Sequence, residues 1–338
     1  MYLKDLSTLS GVSGDEGKVR DFIKSKVENF ADEIIVDKLG NLLALKKGKD
    51  SSKKFLISAH MDEVGFIVSK IEKDGRVAFL PVGGVDPRIL PGKVVQVKDL
   101  KGVVGYKPIH LQRNDLESSP KFEDLRIDFG FSSSEEAKKY ISIGDYVSFV
   151  SEYVEGKERV VGKAFDDRAG CSLLIDILEK DIVPAYDTYF AFTVQEETGL
   201  RGSAVVVEEI EPTCALVVET TTAGDNPELE DRRWATHLGD GPAITFYHRG
   251  YVVPRKIFQT IVDTAKTLRI PFQMKRRTAG GTDAARYAKT AYGVPAGVVS
   301  IPSRYIHSPN SVLDLKDYEN TLKLVITLIE EGKIVEVS

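Results

Sequence analysis

Residues 55–63 read FLISAHMDE and give the clearest indication of architecture in this chain of 338 residues. The first five residues are almost all apolar, which is typical of a strand buried on both faces of a sheet. His60 and Asp62 follow at once, so the strand leads directly into side chains that can bind metals or carry protons. Because ligands of open α/β sheets gather beyond the carboxyl ends of the strands, this stretch predicts an α/β sheet with a functional site at that edge.

The residues before this stretch predict a helix and a hairpin. Apolar residues recur at helical spacing over 15–30, where the acidic Asp15 and Glu16 would open the helix. Two short apolar runs then flank Lys38-Leu39-Gly40-Asn41, which is a hairpin signal. We therefore expect a helix and two antiparallel strands to precede the buried strand.

A different pattern interrupts the α/β sequence after Glu63. Short alternating strands are separated by turns such as Lys73-Asp74-Gly75 up to about residue 155, as in a small β-barrel. Longer helices and buried strands return beyond that point. The sequence predicts an α/β domain formed by residues 1–63 and 156–338, with a β-barrel of residues 64–155 inserted into it.

Composition restricts the class of protein. Hydrophobic residues make up 42% of the chain and charged residues 29%, which excludes a disordered or collagenous chain. A net charge of -5 offers no basic surface to phosphate backbones, so nucleic acid is not an expected partner. Cys171 and Cys214 lie in apolar surroundings, as expected of reduced core residues. With no secretory signal pattern and no run near the roughly 20 apolar residues that cross a bilayer, we expect a cytoplasmic protein without membrane contact.

Histidine and carboxylate residues recur where predicted strands end or helices begin. These residues are His60, Asp62, Asp166, Asp167, Glu196, Glu197, Glu219 and His307. They could converge on one crevice although they are far apart in sequence. Nitrogen and oxygen ligands without a thiolate suit Zn²⁺ or Co²⁺, so the pattern indicates a metal site.

Each of these residues also has a simpler interpretation. His60 could be a core histidine, His307 a loop residue, and Asp166 a helix N-cap. Glu196-Glu197 could be a solvated turn. Glu219 is harder to explain in this way, since an apolar run leads into it and a buried carboxylate needs a partner. The coincidence of all of them at strand and helix ends favours the metal site.

Eight motifs connect the chain to a known family. In chain order they are SAHMDEVGF (58–66), VGGVDPRILPG (82–92), GVVGYKPIHL (102–111), GKAFDDRAGC (162–171), VQEETGLRGS (194–203), ETTTAGDNP (219–227), GGTDAARYA (280–288) and VSIPSRYIHSPNSV (299–312). The sequence resembles the glutamyl and tetrahedral aminopeptidases, which are co-catalytic metallopeptidases. The resemblance implies a mixed-sheet catalytic domain of the zinc-aminopeptidase type with an inserted barrel.

The resemblance implies two divalent ions, Zn or Co, in each subunit. Their ligands would be His60, Asp166 and Glu219 for one ion, and Asp166, Glu197 and His307 for the other. Glu196 would be the general base, and Asp62 would orient His60. The peptide bond between Asp166 and Asp167 would be cis. Glu219 stands where the family often has aspartate, so a longer carboxylate would have to reach the first ion.

The implied reaction is hydrolysis of the first peptide bond of short peptides. A water between the two ions would attack, and Glu196 would take its proton and pass it to the leaving amine. Arg249, Thr282 and Asp283 are candidates for binding the substrate. The sequence leaves the preferred first residue open.

Two other functions compete with this one. Some members of the family are named endoglucanases, and a glycosidase would need two carboxylates across a cleft with aromatic platforms for sugars. Only one tryptophan, Trp234, is present in the sequence, and a glycosidase leaves the histidines without a purpose. The other alternative is a metal-binding assembly protein without catalytic activity.

The inserted segment is expected to build an oligomer. Residues 64–155 contain apolar clusters such as Phe79-Leu80-Pro81-Val82 and Ile89-Leu90, and they contribute no predicted ligand. Relatives assemble as twelve-subunit tetrahedra from dimers, with the insertion making subunit contacts. The resemblance therefore implies a homo-oligomer. The alternative is a monomer or dimer in which the barrel only covers the cleft.

Overall fold

The computed structural model describes residues 1–111, 119–225, 234–277, 280–291 and 293–338. The helices are α1 Leu3–Thr8, α2 Gly17–Val27, α3 Ser134–Ala137, α4 Phe165–Glu179, α5 Arg201–Ile210, α6 Arg255–Thr267, α7 Asp283–Tyr287, α8 Leu315–Glu331 and α9 Lys333–Glu336. The strands are β1 Glu33–Val36, β2 Leu42–Lys46, β3 Asp50–His60, β4 Gly65–Ile71, β5 Val77–Val82, β6 Val94–Val97, β7 Leu100–Gly105, β8 Arg126–Asp128, β9 Tyr146–Phe149, β10 Val154–Glu155, β11 Arg159–Gly162, β12 Tyr186–Thr193, β13 Cys214–Thr222, β14 Ala243–Ile244, β15 Tyr247–His248, β16 Tyr251–Val252, β17 Gln273–Met274, β18 Ala296–Arg304 and β19 Ser311–Asp314. Within these ranges, no helix is long and apolar enough to span a membrane.

A large mixed sheet carries the predicted site. Its strand order is β1-β2-β12-β3-β13-β18-β19-β11-β10, and β14 and β17 attach beside β18. Strands β12, β3, β13 and β18 run parallel to one another, whereas the outer strands pair antiparallel. The carboxyl ends of the four central strands therefore meet at one edge. This arrangement confirms the predicted α/β class with a mixed sheet.

The second half of β3, residues 55–60, is buried on both faces, as its continuous apolar run predicts, whereas residues 50–54 are largely exposed. Phe55 and Ile57 pack into a core shared with α2, α4, α6 and α8, whereas Leu56 packs into a second core with α5 and α7. Successive side chains of a strand point to opposite faces, so an unbroken apolar run is required where helices cover both sides.

The segment between β3 and α4 closes into a barrel. Its strand order is β4-β5-β8-β7-β6-β9, with β9 pairing back onto β4. Phe66 lies at its centre, with ring centroids 4.9 Å from Phe79 and 5.3 Å from Phe149. Strand β10, at the end of the predicted insertion, pairs with β11 of the large sheet instead. The division of the chain into two domains at residues 63–64 and 155–156 stays a prediction.

Strand β13 is longer than predicted. Glu219 was expected to end it, but the strand continues to Thr222 and pairs with β18 throughout. The three threonines at 220–222 are β-branched residues, which favour extended backbone. Glu219 therefore projects from inside a strand.

Asn41, in the turn between β1 and β2, ties this hairpin to the end of β12. Its side chain is fully buried. The amide oxygen accepts a hydrogen bond from the Val194 backbone at 2.9 Å, and the amide nitrogen donates to the Gly202 carbonyl at 3.1 Å. The hairpin thus supports the segment that leads into Glu196 and Glu197.

Replacing Asn41 with leucine should lower the free energy of unfolding by about 2–4 kcal/mol, because two buried backbone groups lose their partner. Lys38→Ala, in the exposed part of the same turn, is the matched control and should be neutral. Urea denaturation measures both variants. Equal stability of the two would show that Asn41 has no such role.

Candidate active site

Five predicted ligands meet at the carboxyl edge of the sheet. His60 Nε2 lies 3.3 Å from Asp166 Oδ1 and 3.4 Å from Glu219 Oε1. On the other side, His307 Nε2 lies 3.3 Å from Asp166 Oδ2 and 3.2 Å from Glu197 Oε1. The two oxygens of Asp166 therefore face two different imidazoles, each beside a further carboxylate.

Irregular backbone places Asp166 and His307. Asp166 lies in the first turn of α4 with non-helical angles, and its peptide bond to Asp167 is cis, as the resemblance implied. His307 follows β18 with a left-handed φ of 59°. Its Nδ1 donates to the Gly84 carbonyl at 2.7 Å, which leaves Nε2 free to face the carboxylates. Gly84 follows β5, so the barrel segment orients one of the imidazoles.

Asp62 is fully buried and makes contacts on two sides. Its Oδ1 lies 3.4 Å from His60 Nδ1, which fits the predicted orienting role. Its two oxygens also accept the backbone N–H groups of Glu196 at 3.0 Å and Glu197 at 3.1 Å. Burial would raise the pKa of Asp62, but the bond and charge of His60, with further hydrogen bonds, hold it below its usual value.

The electrostatics of the site favour positive charge at its centre. Burial raises the pKa of Glu219 to about 7 and that of Glu196 well above its ordinary value. Burial would lower the pKa of His307, but hydrogen bonds to Asp166 and Glu197 raise it to about 11. Carboxylates are thus crowded together in low dielectric, and the histidines beside them hold protons strongly.

The donor set fits a divalent metal. The groups with ligand atoms within 4.8 Å of one another are His60–Asp166–Glu219, His60–Glu196–Glu197 and Asp166–Glu197–His307. Imidazole nitrogen with carboxylate oxygen is the set that zinc and cobalt accept. The first and third groups are those that the resemblance assigned to the two ions.

A cleft of about 680 Å³ opens beside these residues. It is lined by His60, Gly84, Asp166, Glu196, Glu197, Gly199, Leu200, Glu219, Thr220, Thr221, Thr222, Arg249, Lys275, Gly280, Gly281, Thr282, Ile306 and His307. Arg249 and Thr282 are thus placed where a substrate could reach them, and Thr282 also caps α7.

Asp283 is not placed where the prediction put it. Its side chain is buried, does not line the cleft, and accepts a hydrogen bond from Thr193 Oγ1 at 2.8 Å. Asp283 is the first residue of α7, whose N-cap Thr282 turns toward the cleft while Asp283 turns into the core. We therefore remove it from the substrate-binding candidates.

Lys275 was not predicted. It is only 7% exposed yet lines the cleft, and burial lowers its pKa against the opposing effects of Glu219 and Asp166. Among the described residues, its ammonium group has no hydrogen-bond or ion-pair partner. Lys275 starts the run Lys275-Arg276-Arg277, which in sequence is indistinguishable from an exposed basic segment.

The sequence model of the M42 glutamyl aminopeptidases matches residues 40–324. The chain belongs to the M42 glutamyl aminopeptidase family. This match confirms the resemblance drawn from the motifs. The last two residues of the motif at 219–227 lie outside the described residues. As an M42 member, the chain is a peptidase of the aminopeptidase type.

Three similar proteins illustrate the M42 relationship. The lysyl aminopeptidase of Pyrococcus furiosus is 34% identical over 98% of this chain and 96% of its own. A solved structure from Thermotoga maritima, named endoglucanase, is 72% identical with a TM-score of 0.86, covering 100% of this chain and 99% of that one. The TET1 peptidase of Pyrococcus horikoshii is 32% identical with a TM-score of 0.87, covering 97% and 98%. It is described as assembling into a tetrahedron or a large octahedral shell.

Proposed function

We propose that this protein is a dinuclear metallo-aminopeptidase that hydrolyses the first peptide bond of short peptides. The observation that carries the proposal is Asp166, whose two oxygens face His60 and His307 separately. A carboxylate with that geometry suits a bridge between two cations. One ion would be held by His60, Asp166 and Glu219, and the other by Asp166, Glu197 and His307.

The longer side chain of Glu219 is compatible with this assignment. Its Oε1 reaches within 3.4 Å of His60 Nε2 and also accepts the Thr220 backbone N–H at 3.2 Å. Glutamate thus supplies an oxygen beside His60 although the family often has aspartate there.

When bound, the two cations, Zn or Co, would polarise the scissile carbonyl and lower the pKa of a bridging water. Glu196 is the residue that would move the proton. It lines the cleft, and burial raises the pKa of its carboxyl, which makes it a better base near neutral pH than an exposed glutamate. Asp62 holds its backbone N–H and so fixes the start of the side chain.

The cleft also supports a preference for an anionic group on the substrate. The Lys275 side chain is buried and lines the cleft, and its ammonium group has no hydrogen-bond or ion-pair partner among the described residues, although the charges of Glu219 and Asp166 act on it. Arg249 lines the same cleft. A buried unpaired cation is unfavourable, and a substrate carboxylate would offset that cost.

A glycosidase fits the cleft less well, even though the Thermotoga maritima relative is named endoglucanase. Sugar-binding clefts use aromatic platforms, but no Phe, Tyr or Trp of the described residues lines this one. Assays on aminoacyl p-nitroanilides and on soluble cellulose, before and after metal removal, separate the peptidase from the glycosidase and from a metal-binding assembly protein without activity.

We also propose that the protein is a cytoplasmic homo-oligomer in which the barrel domain, residues 64–155, makes subunit contacts. Support comes from the TET1 relative and from exposed apolar side chains in this segment, among them Leu80 and Ile143, at 56% and 70% exposure. The buried free thiols of Cys171 and Cys214 fit a reducing compartment.

Glu196→Gln should lower activity about 100-fold or more while metal content stays near two ions per chain, because the amide cannot accept the proton. Metal analysis and steady-state kinetics on the same preparation measure both. The contrasting variant is Asp166→Asn, which should lose metal from both positions because an amide bridges two cations poorly. Two tightly held ions in that variant would contradict the bridge.

Lys275→Met should lower kcat/KM about tenfold or more for a substrate with a glutamyl first residue, and much less for its glutaminyl isostere. Comparing dipeptides with their C-terminal amides shows whether the anion is instead the terminal carboxylate. Arg255→Met, outside the cleft lining, is the control. An equal effect on all substrates would contradict recognition of an anion by Lys275.

Light scattering should give a mass near twelve times the 37.3 kDa of one chain. A Leu80→Asp/Ile143→Asp variant should dissociate, because a charge cannot be buried unpaired in a subunit contact. Val183→Asp, exposed outside the barrel, should not. A monomeric unmodified protein would end the proposal of assembly.

A further inference from the structure

Residues 11–16, which we term the N-terminal brace, contact residues next to the proposed active site but do not line its cleft. They precede the part of the chain that the family model matches. Ser13 Oγ donates to Asp62 Oδ2 at 2.6 Å, and Glu16 Oε1 accepts the Gln195 backbone N–H at 3.0 Å. Both Ser13 and Glu16 are buried.

The brace completes an unusual pattern of hydrogen bonds on the catalytic turn. The backbone N–H groups of three successive residues, Gln195, Glu196 and Glu197, are all accepted by buried carboxylates. Glu16 holds the first and Asp62 the other two. Gln195 has a left-handed φ of 53°, a conformation that non-glycine residues seldom adopt without support. The two carboxylates therefore fix the backbone from which the proposed base projects.

Helix capping does not account for Glu16. It occupies the N-cap position of α2, where sequence reasoning expected its charge to favour the helix, but its side chain makes no capping hydrogen bond. Its oxygen instead accepts from Gly14 and Gln195, the second of which is 179 positions away in sequence.

Buried charges hold the brace in place. Gly11 and Ser13 exchange backbone hydrogen bonds with Glu63, and Gly11 N–H also donates to the Glu63 carboxylate at 3.1 Å. Lys163 Nζ donates to both oxygens of Glu63, at 2.6 and 2.7 Å. Since Glu63 follows Asp62 and Lys163 precedes Asp166 in the chain, this ion pair joins the brace to both sides of the site.

We infer that Ser13 and Glu16 are positioning residues for catalysis: Glu16 sets the Glu196–Glu197 turn through the Gln195 backbone, and Ser13 sets His60 through Asp62. The inference rests on the proposed roles of Glu196 and His60. It assigns a catalytic purpose to a segment that contributes no ligand or base.

The test of Glu16 compares two substitutions of similar size. Glu16→Gln keeps an oxygen that can accept both N–H groups, whereas Glu16→Met does not. We expect kcat on an aminoacyl p-nitroanilide to fall about tenfold or more in Glu16→Met, with KM little changed, and to be largely retained in Glu16→Gln. Equal kcat in the two variants, measured on folded protein, would overturn the role of Glu16.

Ser13→Ala removes a single hydroxyl. It tests the proposed role of Ser13 in positioning His60, by a measurement other than activity. Cobalt affinity should weaken by about 10- to 100-fold, and the visible spectrum of the cobalt-loaded protein should shift, because Asp62 holds His60 less firmly. Thr8→Ala is the control, since the hydrogen bonds of that hydroxyl within the described part of the chain go to the backbone of its own helix. An unchanged spectrum and affinity in Ser13→Ala would overturn the role of Ser13.

Failure of the brace can be told from failure of the proposed function. If Glu16→Met behaves as the unmodified protein while Glu196→Gln is inactive, only the role of Glu16 is wrong. If Glu196→Gln keeps its activity, the assignment of the base is wrong, and the catalytic role of Glu16 falls with it, whereas the role of Ser13 is decided by the cobalt measurements.

Discussion

Carboxylates crowded in a buried pocket must have positive charge among them, and the rest of this structure depends on that requirement. The carboxylates that converge here include Asp62, Asp166, Asp167, Glu196, Glu197 and Glu219. Two imidazoles and, in the proposed function, two divalent ions supply the balancing charge. Without this positive charge, the burial of so many carboxylates at the end of a sheet would be strongly unfavourable. We therefore expect the rest of the fold to hold each histidine and carboxylate of the site in a fixed position.

The scaffold does this with elements that are distant in sequence. Parallel strands bring His60 and Glu219 to one edge, the barrel segment supplies the carbonyl of Gly84 to His307, and the brace fixes the turn before Glu196. Several of the positions involved have left-handed backbone, which costs free energy unless neighbouring contacts compensate. The barrel therefore has a purpose in the site as well as its proposed purpose in assembly.

Much of the fold and of the site could be predicted because both follow from burial. The run before His60 had to be a central strand, and acids placed directly after apolar runs had to find partners. Contacts between a side chain and the backbone of a distant segment leave no pattern in the sequence. The contacts of Gly84, Ser13 and Glu16 with the site therefore could not be predicted. Lys275 lies in a run of basic residues, which gave no reason to single it out. Asp283 was predicted to bind substrate because it follows Thr282 in the same motif, but the motif does not say which of the two neighbours faces the cleft.

In the proposed function, Asp166 lies between two cations. Anomalous diffraction at the cobalt edge, from crystals of the cobalt-loaded protein, tests it most directly. We expect two peaks about 3.5–4 Å apart, one beside His60 and Glu219 and the other beside Glu197 and His307, each next to one oxygen of Asp166. A single peak, or two ions of which only one contacts Asp166, would contradict it.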